Sequence, residues 1–205
     1  MKKGAPQPRG FHFMLYGPPG VGKTTLASQM PKPVAILDLD KGSGWLYAEL
    51  DGVDVYTLDP EEDPAKEIRA FLTAATKGQG NPGAYRSIAI DTVSSMRGQH
   101  LAHLAGGSLF YERGDYGVVT NWLKQVLFMT QFASQMIMWL SHMKEIEDGP
   151  RLVIRPAGLS DNGLQSCVEM LDSIIYMGKT AGKEGETLDF LLLRKWTHKE
   201  GELEF

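Results

Sequence analysis

Short apolar runs recur along the chain, separated by small, polar or amphipathic stretches, and most of them stop at glycine, proline or an acid. Residues 11–16 are such a run, closed by a Gly/Pro cluster, and predict a buried strand. Residues 17–22 then form a loop, and residues 23–30 a helix halted by Pro31 and Pro33. Residues 34–39 and 53–58 predict two more strands. Residues 64–77 have helical composition and stop before Gly78, Gly80, Asn81 and Pro82. A strand at 87–90 ends on Asp91. Helices follow at 93–104 and 118–133, with a loop between them that carries Gly106, Gly107, Gly114 and Gly117. Residues 136–140 predict a buried strand ending at Ser141 and His142.

Strands that alternate with helices predict βαβ units and a mainly parallel sheet. Beyond Gly149 the texture changes: strands at 152–154, 173–177 and 188–193, and a helix near 164–170. A Gly/Lys turn at 178–185 separates the last two strands and predicts an antiparallel hairpin at one sheet edge. Residues 1–10, with Lys2, Lys3, Arg9 and two prolines, read as a flexible basic arm. Residues 11–205 read as one domain, with no internal repeat.

Composition narrows the function classes. The 205 residues are 42% apolar, enough for a core, and carry a formal charge of −4. That charge gives no general attraction to nucleic acid or anionic membrane, so contact with DNA requires a local patch, a loop or an assembled array. Cys167 is the only cysteine, which excludes an intrachain disulfide and suits a reducing cytoplasm. The first ten residues lack an apolar stretch of signal-peptide length. The apolar region 125–140 is interrupted by Thr130, Gln131, Ser134 and Gln135 and does not read as a membrane span. The expectation is a soluble cytoplasmic protein.

The chemistry lies in the first loop. Gly17-Pro18-Pro19-Gly20-Val21-Gly22-Lys23-Thr24 fits G-x-x-x-x-G-K-[ST] without a mismatch. Average composition puts a chance match in a chain of this length at about one in a hundred. The preceding strand and following helix are the context the mechanism needs. Backbone amides of the glycine-rich turn form an anion nest, and the helix start adds positive potential. Lys23 brings a full charge to the β- and γ-phosphates, the Thr24 hydroxyl is placed to ligate Mg²⁺, and Thr25 lies near the α-phosphate. The expected ligands are ATP, or a close relative, and Mg²⁺.

A phosphate loop needs a second Mg²⁺ anchor from an acid at the end of a neighbouring strand. Asp91 has that place, although it could instead cap the helix that follows. Asp38 and Asp40 end the second strand on a shared face. Asp40 is nearer the expected site and is the candidate to orient the attacking water as a general base. Ser141 and His142 emerge at a third strand end, where either could sense the γ-phosphate.

These strand ends, in this order, resemble the RecA-like core. More narrowly they resemble the small phage-type P-loop proteins of the AAA-24 group, which includes Sak-type single-strand annealing recombinases. The matched features are the segment 16–25, the acid-tipped strand 36–40, Ile88-Ala89-Ile90-Asp91-Thr92, Asp115-Tyr116-Gly117 before the Trp122 helix, Leu140-Ser141-His142, and the closing strands 172–195. The resemblance implies a three-layer α/β RecA-like domain with an antiparallel C-terminal edge. In RecA-like proteins the second strand ends in a catalytic Glu, and Asp40 holds that place here. A Gln at the strand end now held by Ser141 or His142 couples the γ-phosphate to a DNA-binding loop. That loop corresponds to residues 143–162, with Lys144, Arg151 and Arg155. Basic residues of the last strand, here Arg194 and Lys195, reach the ATP of a neighbouring subunit. The other DNA loop falls at 106–117, where Phe110, Tyr111, Tyr116 and Arg113 are candidates for stacking and phosphate contact. The function implied is ATP-dependent recombination or annealing by a ring or filament on single-stranded DNA, with a single-strand-binding or replication protein as a further partner. A nucleotide-kinase-type phosphotransferase and a regulatory switch or loader are the alternatives.

Overall fold

Strands β1 (His12–Gly17), β2 (Val34–Asp38) and β4 (Ser87–Asp91) are buried along their whole length. Parallel strands covered on both faces behave this way, which is why their sequences read as unbroken apolar runs. The structure, a computed structural model, describes residues 9–42, 50–77, 85–106, 108, 110–148, 151–182 and 185–193. All structural statements here concern those residues.

The sheet also contains β3 (Val53–Tyr56), β5 (Met136–Asp148), β7 (Ser173–Gly182) and β8 (Gly185–Leu193), in the order β3-β2-β4-β5-β1-β7-β8. All neighbours in this path are parallel except β7 and β8, which pair antiparallel. The helices are α1 (Lys23–Ser28), α2 (Pro64–Lys77), α3 (Val93–Leu104), α4 (Arg113–Thr130) and α5 (Asp161–Met170). Alternation along the strands divides the core between two faces. Tyr16, Leu37, Ile90 and Trp139 pack with Leu72 of α2, Met96 of α3, Trp122 and Val126 of α4 and Cys167 of α5. Leu15, Ile36, Ala89 and Leu140 pack on the other face with Ala27 of α1. The domain is therefore a three-layer α/β fold with a mainly parallel sheet, as the sequence implied.

Three segments differ from expectation, the first being the turn read at 178–185, which is strand up to Gly182 and again from Gly185. The strand read as 136–140 runs on to Asp148 and pairs antiparallel with β6 (Arg151–Pro156), from Met143 opposite Pro156 to Asp148 opposite Arg151. Much of the predicted 143–162 loop is thus a hairpin that leaves the main sheet just beyond His142. The glycine-rich loop is shorter than 106–117, because α4 begins at Arg113 and takes Gly114 and Gly117 into its first turns. A reciprocal cap explains this start: Glu112 accepts from the Asp115 amide, and Asp115 accepts from the Glu112 amide at 2.9 Å. Arg194 and Lys195 lie outside the described residues, as do residues 1–8 of the basic arm. No helix among the described residues is long and apolar enough to cross a membrane.

Candidate functional site

Strand register assembles the site. β1 ends at Gly17, opposite His142 of β5, and Asp38 at the end of β2 lies opposite Asp91 at the end of β4. Parallel strands thus deliver the phosphate loop, two acids and a histidine to one sheet edge.

The loop's glycines serve distinct purposes. Gly20 and Gly22 adopt φ of 73° and 102°, the left-handed region that favours glycine. Gly17 has ordinary φ but no room: a Cβ there would stand 2.1 Å from the Met177 carbonyl oxygen of β7. Gly22 is also the N-cap of α1 and supplies no side-chain acceptor, so the first-turn amides keep their capacity for an anion. Lys23 is only 6% exposed, and its ammonium donates to the Gly17 carbonyl at 2.9 Å and the Pro18 carbonyl at 2.8 Å. The side chain is folded back over its own loop. Burial lowers its pKa from the ordinary lysine value, while the charges of Asp91 and Asp40 act to raise it.

The Thr24 hydroxyl donates to Asp91 Oδ2 at 2.7 Å. Asp91 is buried, and its pKa is pushed up to about 6. Burial is the main cause; Asp40 and Asp38 add repulsion, while the Thr24 hydroxyl and Lys23 oppose the shift. The alternative capping role falls to its neighbour: Thr92 is the N-cap of α3, accepting from the Ser95 amide at 3.2 Å.

Asp38 and Asp40 separate in role. Asp38 is buried and accepts from the Lys41 amide at 3.0 Å, which closes the turn after β2. The Leu39 amide donates to the Asp91 carbonyl at 2.6 Å, carrying the chain past the strand end toward α3. Asp40 Oδ1 there accepts from the Ser95 hydroxyl, with the Thr92 hydroxyl at 3.4 Å, and Oδ2 lies 3.2 Å from His142 Nε2. Of the two β5 candidates, His142 faces the site. Ser141 is fully buried and donates to the Ala157 carbonyl at 2.8 Å, tying the hairpin base.

Lys23, Thr24, Asp91, Asp40 and His142 thus converge at this sheet edge. Ser95, Thr92 and Asp38 were not singled out for these contacts. Thr92 carried a usable signal as a capping residue before an apolar helix, but Ser95 meets Asp40 only through tertiary structure. The candidate DNA elements are partly redirected. Phe110 is 84% exposed, and Tyr111 meets Tyr116 edge-to-face at 6.1 Å with Arg97 lying 5.4 Å over the Tyr116 ring. In the hairpin, Lys144 donates to the Leu159 carbonyl at 3.3 Å and faces Arg155 across the strands.

The sequence matches the AAA_24 family, an AAA domain, over residues 9–190. The chain belongs to that family. Nucleotide binding, typically with Mg²⁺, accompanies the AAA domain. No curated protein matches the domain by sequence. Solved structures share its fold. A KaiC-like protein of Pyrococcus horikoshii OT3 is 13% identical with a TM-score of 0.53, covering 91% of this chain and 80% of that one. The flagellar accessory protein FlaH of Methanocaldococcus jannaschii is 12% identical with a TM-score of 0.50, covering 91% and 79%. An ATPase from the type III secretion system of pathogenic bacteria is 16% identical with a TM-score of 0.54, covering 83% and 52%. At these identities the likeness establishes a RecA- and KaiC-like α/β core for the domain.

Proposed function

We propose that this AAA_24 domain hydrolyses ATP, and that ATP drives its assembly on single-stranded DNA in recombination or strand annealing of the Sak type. The observation that carries the hydrolytic reading is the contact of Thr24 with Asp91 at 2.7 Å, beside a lysine whose ammonium donates to two loop carbonyls at 2.8–2.9 Å. Thr24 and Asp91 are the residues to hold Mg²⁺, which when bound neutralises phosphate charge. The buried, acid-flanked Asp91 fits that role: a carboxylate at raised pKa is relieved by a cation.

The amides of residues 17–25 grip the phosphates, and Lys23 exchanges two neutral carbonyls for the β- and γ-oxygens. Asp40 accepts the proton of the attacking water as the oxygen closes on the γ-phosphorus. His142, 3.2 Å from the Asp40 carboxylate, senses the γ-phosphate.

The DNA role is supported by exposed aromatics around the start of α4. Tyr116 is held by Arg97, two residues along α3 from the Asp40 partner Ser95. Phe110, Tyr111 and Tyr116 offer rings for stacking, a sequence-tolerant mode of single-strand binding. The net charge of −4 makes a lone chain a poor ligand for DNA, so assembly into a ring or filament, with Arg194 and Lys195 reaching a neighbour's nucleotide, is part of the proposal. The cellular setting is the cytoplasm of a prokaryotic or phage-infected cell.

The test is an ATPase assay with and without single-stranded DNA, run with the Lys23→Ala variant. The expected result is DNA-stimulated turnover that rises more than linearly with protein concentration, and turnover reduced at least a hundredfold by Lys23→Ala. Turnover unaffected by that variant defeats the hydrolytic assignment. Hydrolysis indifferent to DNA defeats the recombination reading alone, and phosphate transfer to a nucleoside monophosphate replaces it with a kinase.

A further inference from the structure

Asp40 has been given the work of a general base, and a base on a loop is only as good as its aim. β2 ends at Asp38, so no ladder fixes the Asp40 side chain. Its hold comes from α3. Gln99 Nε2 donates to the Leu39 carbonyl at 2.7 Å, and one turn earlier on the same helix the Ser95 hydroxyl donates to Asp40 Oδ1. Two side chains at i and i+4 therefore grip consecutive residues of the acidic segment, one by its backbone and one by its carboxylate.

Ser95 is at N3 of α3, where a Glu or Gln often reaches back to the N-cap amide. Here N3 is a serine, and its two donors divide. The amide satisfies the Thr92 cap at 3.2 Å, while the hydroxyl donates to Asp40 and accepts from the Thr92 hydroxyl at 3.3 Å. With His142 Nε2 3.2 Å from Oδ2, each carboxylate oxygen has a partner, and the rotation of the group is fixed from both sides.

We infer that Ser95 is a positioning residue for hydrolysis, which sets the orientation of the Asp40 carboxylate toward the attacking water without touching nucleotide itself. This rests on the assignment of Asp40 above, and the experiment separates the two. Ser95→Ala keeps the backbone amide and therefore the cap. It is expected to lower kcat about tenfold, the scale on which misaiming a reacting group acts, while the calorimetric Kd for Mg·ADP stays within about twofold of wild type. Ser95→Thr, which restores a hydroxyl at the same reach, recovers most of the rate. In an Asp40→Asn background, itself expected to be about a hundredfold slow, Ser95→Ala brings no further loss, because the group it aims is no longer a base.

Wild-type kcat in Ser95→Ala beside a slow Asp40→Asn overturns the positioning role and leaves Asp40 in place. Equal losses from Ser95→Ala in both backgrounds, or failure of threonine to rescue, also overturn it, since a structural defect behaves that way. Wild-type kcat in Asp40→Asn removes the base and the inference together.

Discussion

Asp91 shows how a residue proposed for function can be held at the expense of the resting fold. Its carboxylate is buried within range of two other acids, and its pKa of about 6 lies above the ordinary value of 3.8. A raised carboxylate costs stability when charged: the folded domain takes up a proton near pH 6, the unfolded chain only near 3.8, so this group's penalty is relieved as pH falls between the two. In the proposed metal role the charged form is nevertheless the one needed to hold a cation. Affinity for Mg·ATP is therefore expected to be flat above pH 7 and to fall up to about tenfold per unit below pH 6, with metal-free nucleotide binding changing less. Asp91→Asn, which keeps an oxygen for the Thr24 hydroxyl, should raise the urea midpoint of the free domain and remove the Mg²⁺-dependent part of nucleotide binding. Calorimetry across pH and urea melts of the two proteins check both. A midpoint lowered by Asp91→Asn would show that Asp91 is not under repulsive load.

At the scale of elements, the strands and phosphate loop were legible because burial on both faces writes itself into apolar runs, and because glycines at 20 and 22 meet a backbone requirement of their own. The β5–β6 hairpin was not legible. Residues 143–148 carry Lys144, Glu145, Glu147 and Asp148, and they pair with only one partner strand, so half-solvated positions hide the strand among charges. The start of α4 was masked by Gly114 and Gly117, which depress helix propensity; the Glu112–Asp115 spacing was the signal against it. Ser95 left no local mark, because its meaning depends on Asp40, which only the β2–β4 pairing brings near. The hairpin base is where these elements lock. Ser141 and Ser94 both donate to the Ala157 carbonyl, at 2.8 and 3.3 Å. The next residue, Gly158, has φ of 77° and sits so close that a Cβ would be 2.7 Å from Ser94 Cα. Gly158→Ala therefore meets both a left-handed backbone and helix backbone that has no side chain to yield. It should destabilise the domain by about 1–3 kcal/mol and deprotect hairpin amides in hydrogen exchange before those of β1 and β4. A hairpin as protected as in wild type would mean that the strap carries no strain of this kind.

The whole molecule has a pH dependence set by groups far from the phosphate loop. His12, at the start of β1, has its pKa lowered by burial and then by Arg9, with the Gln135 carbonyl and Asp172 pulling the other way. His100, on the helix-covered side of the sheet, is lowered by burial above all; His103 and Arg69 add to that, and Asp63 opposes it. A histidine kept neutral in the fold leaves stability untouched above the unfolded value of 6.5. Below that value the unfolded chain gains a proton that the folded state resists, and stability drains away. Asp91 acts in the opposite direction, but only below about 6 and as one group against two. The domain should thus lose stability between pH 7 and 5. His100 is the better probe, because its Nδ1 is buried with no hydrogen-bond partner and its ring packs 4.6 Å from that of Trp122. Its ring adds apolar bulk to the packing around α4, while its polarity satisfies nothing at Nδ1. Phenylalanine has a similar shape and needs no partner, and replacing an unpaired buried polar group by an apolar one of that shape is near neutral or stabilising. His100→Phe should hold or raise the urea midpoint at pH 7 and raise it more at pH 5, so that the difference between the two pH values shrinks. Since α3 runs from the Asp91 strand end through Ser95 to His100, ATPase activity in the same variant reports whether the repacked helix still presents Ser95 to Asp40. An unchanged pH slope would move the source of acid sensitivity to His12 and the β1 end of the sheet.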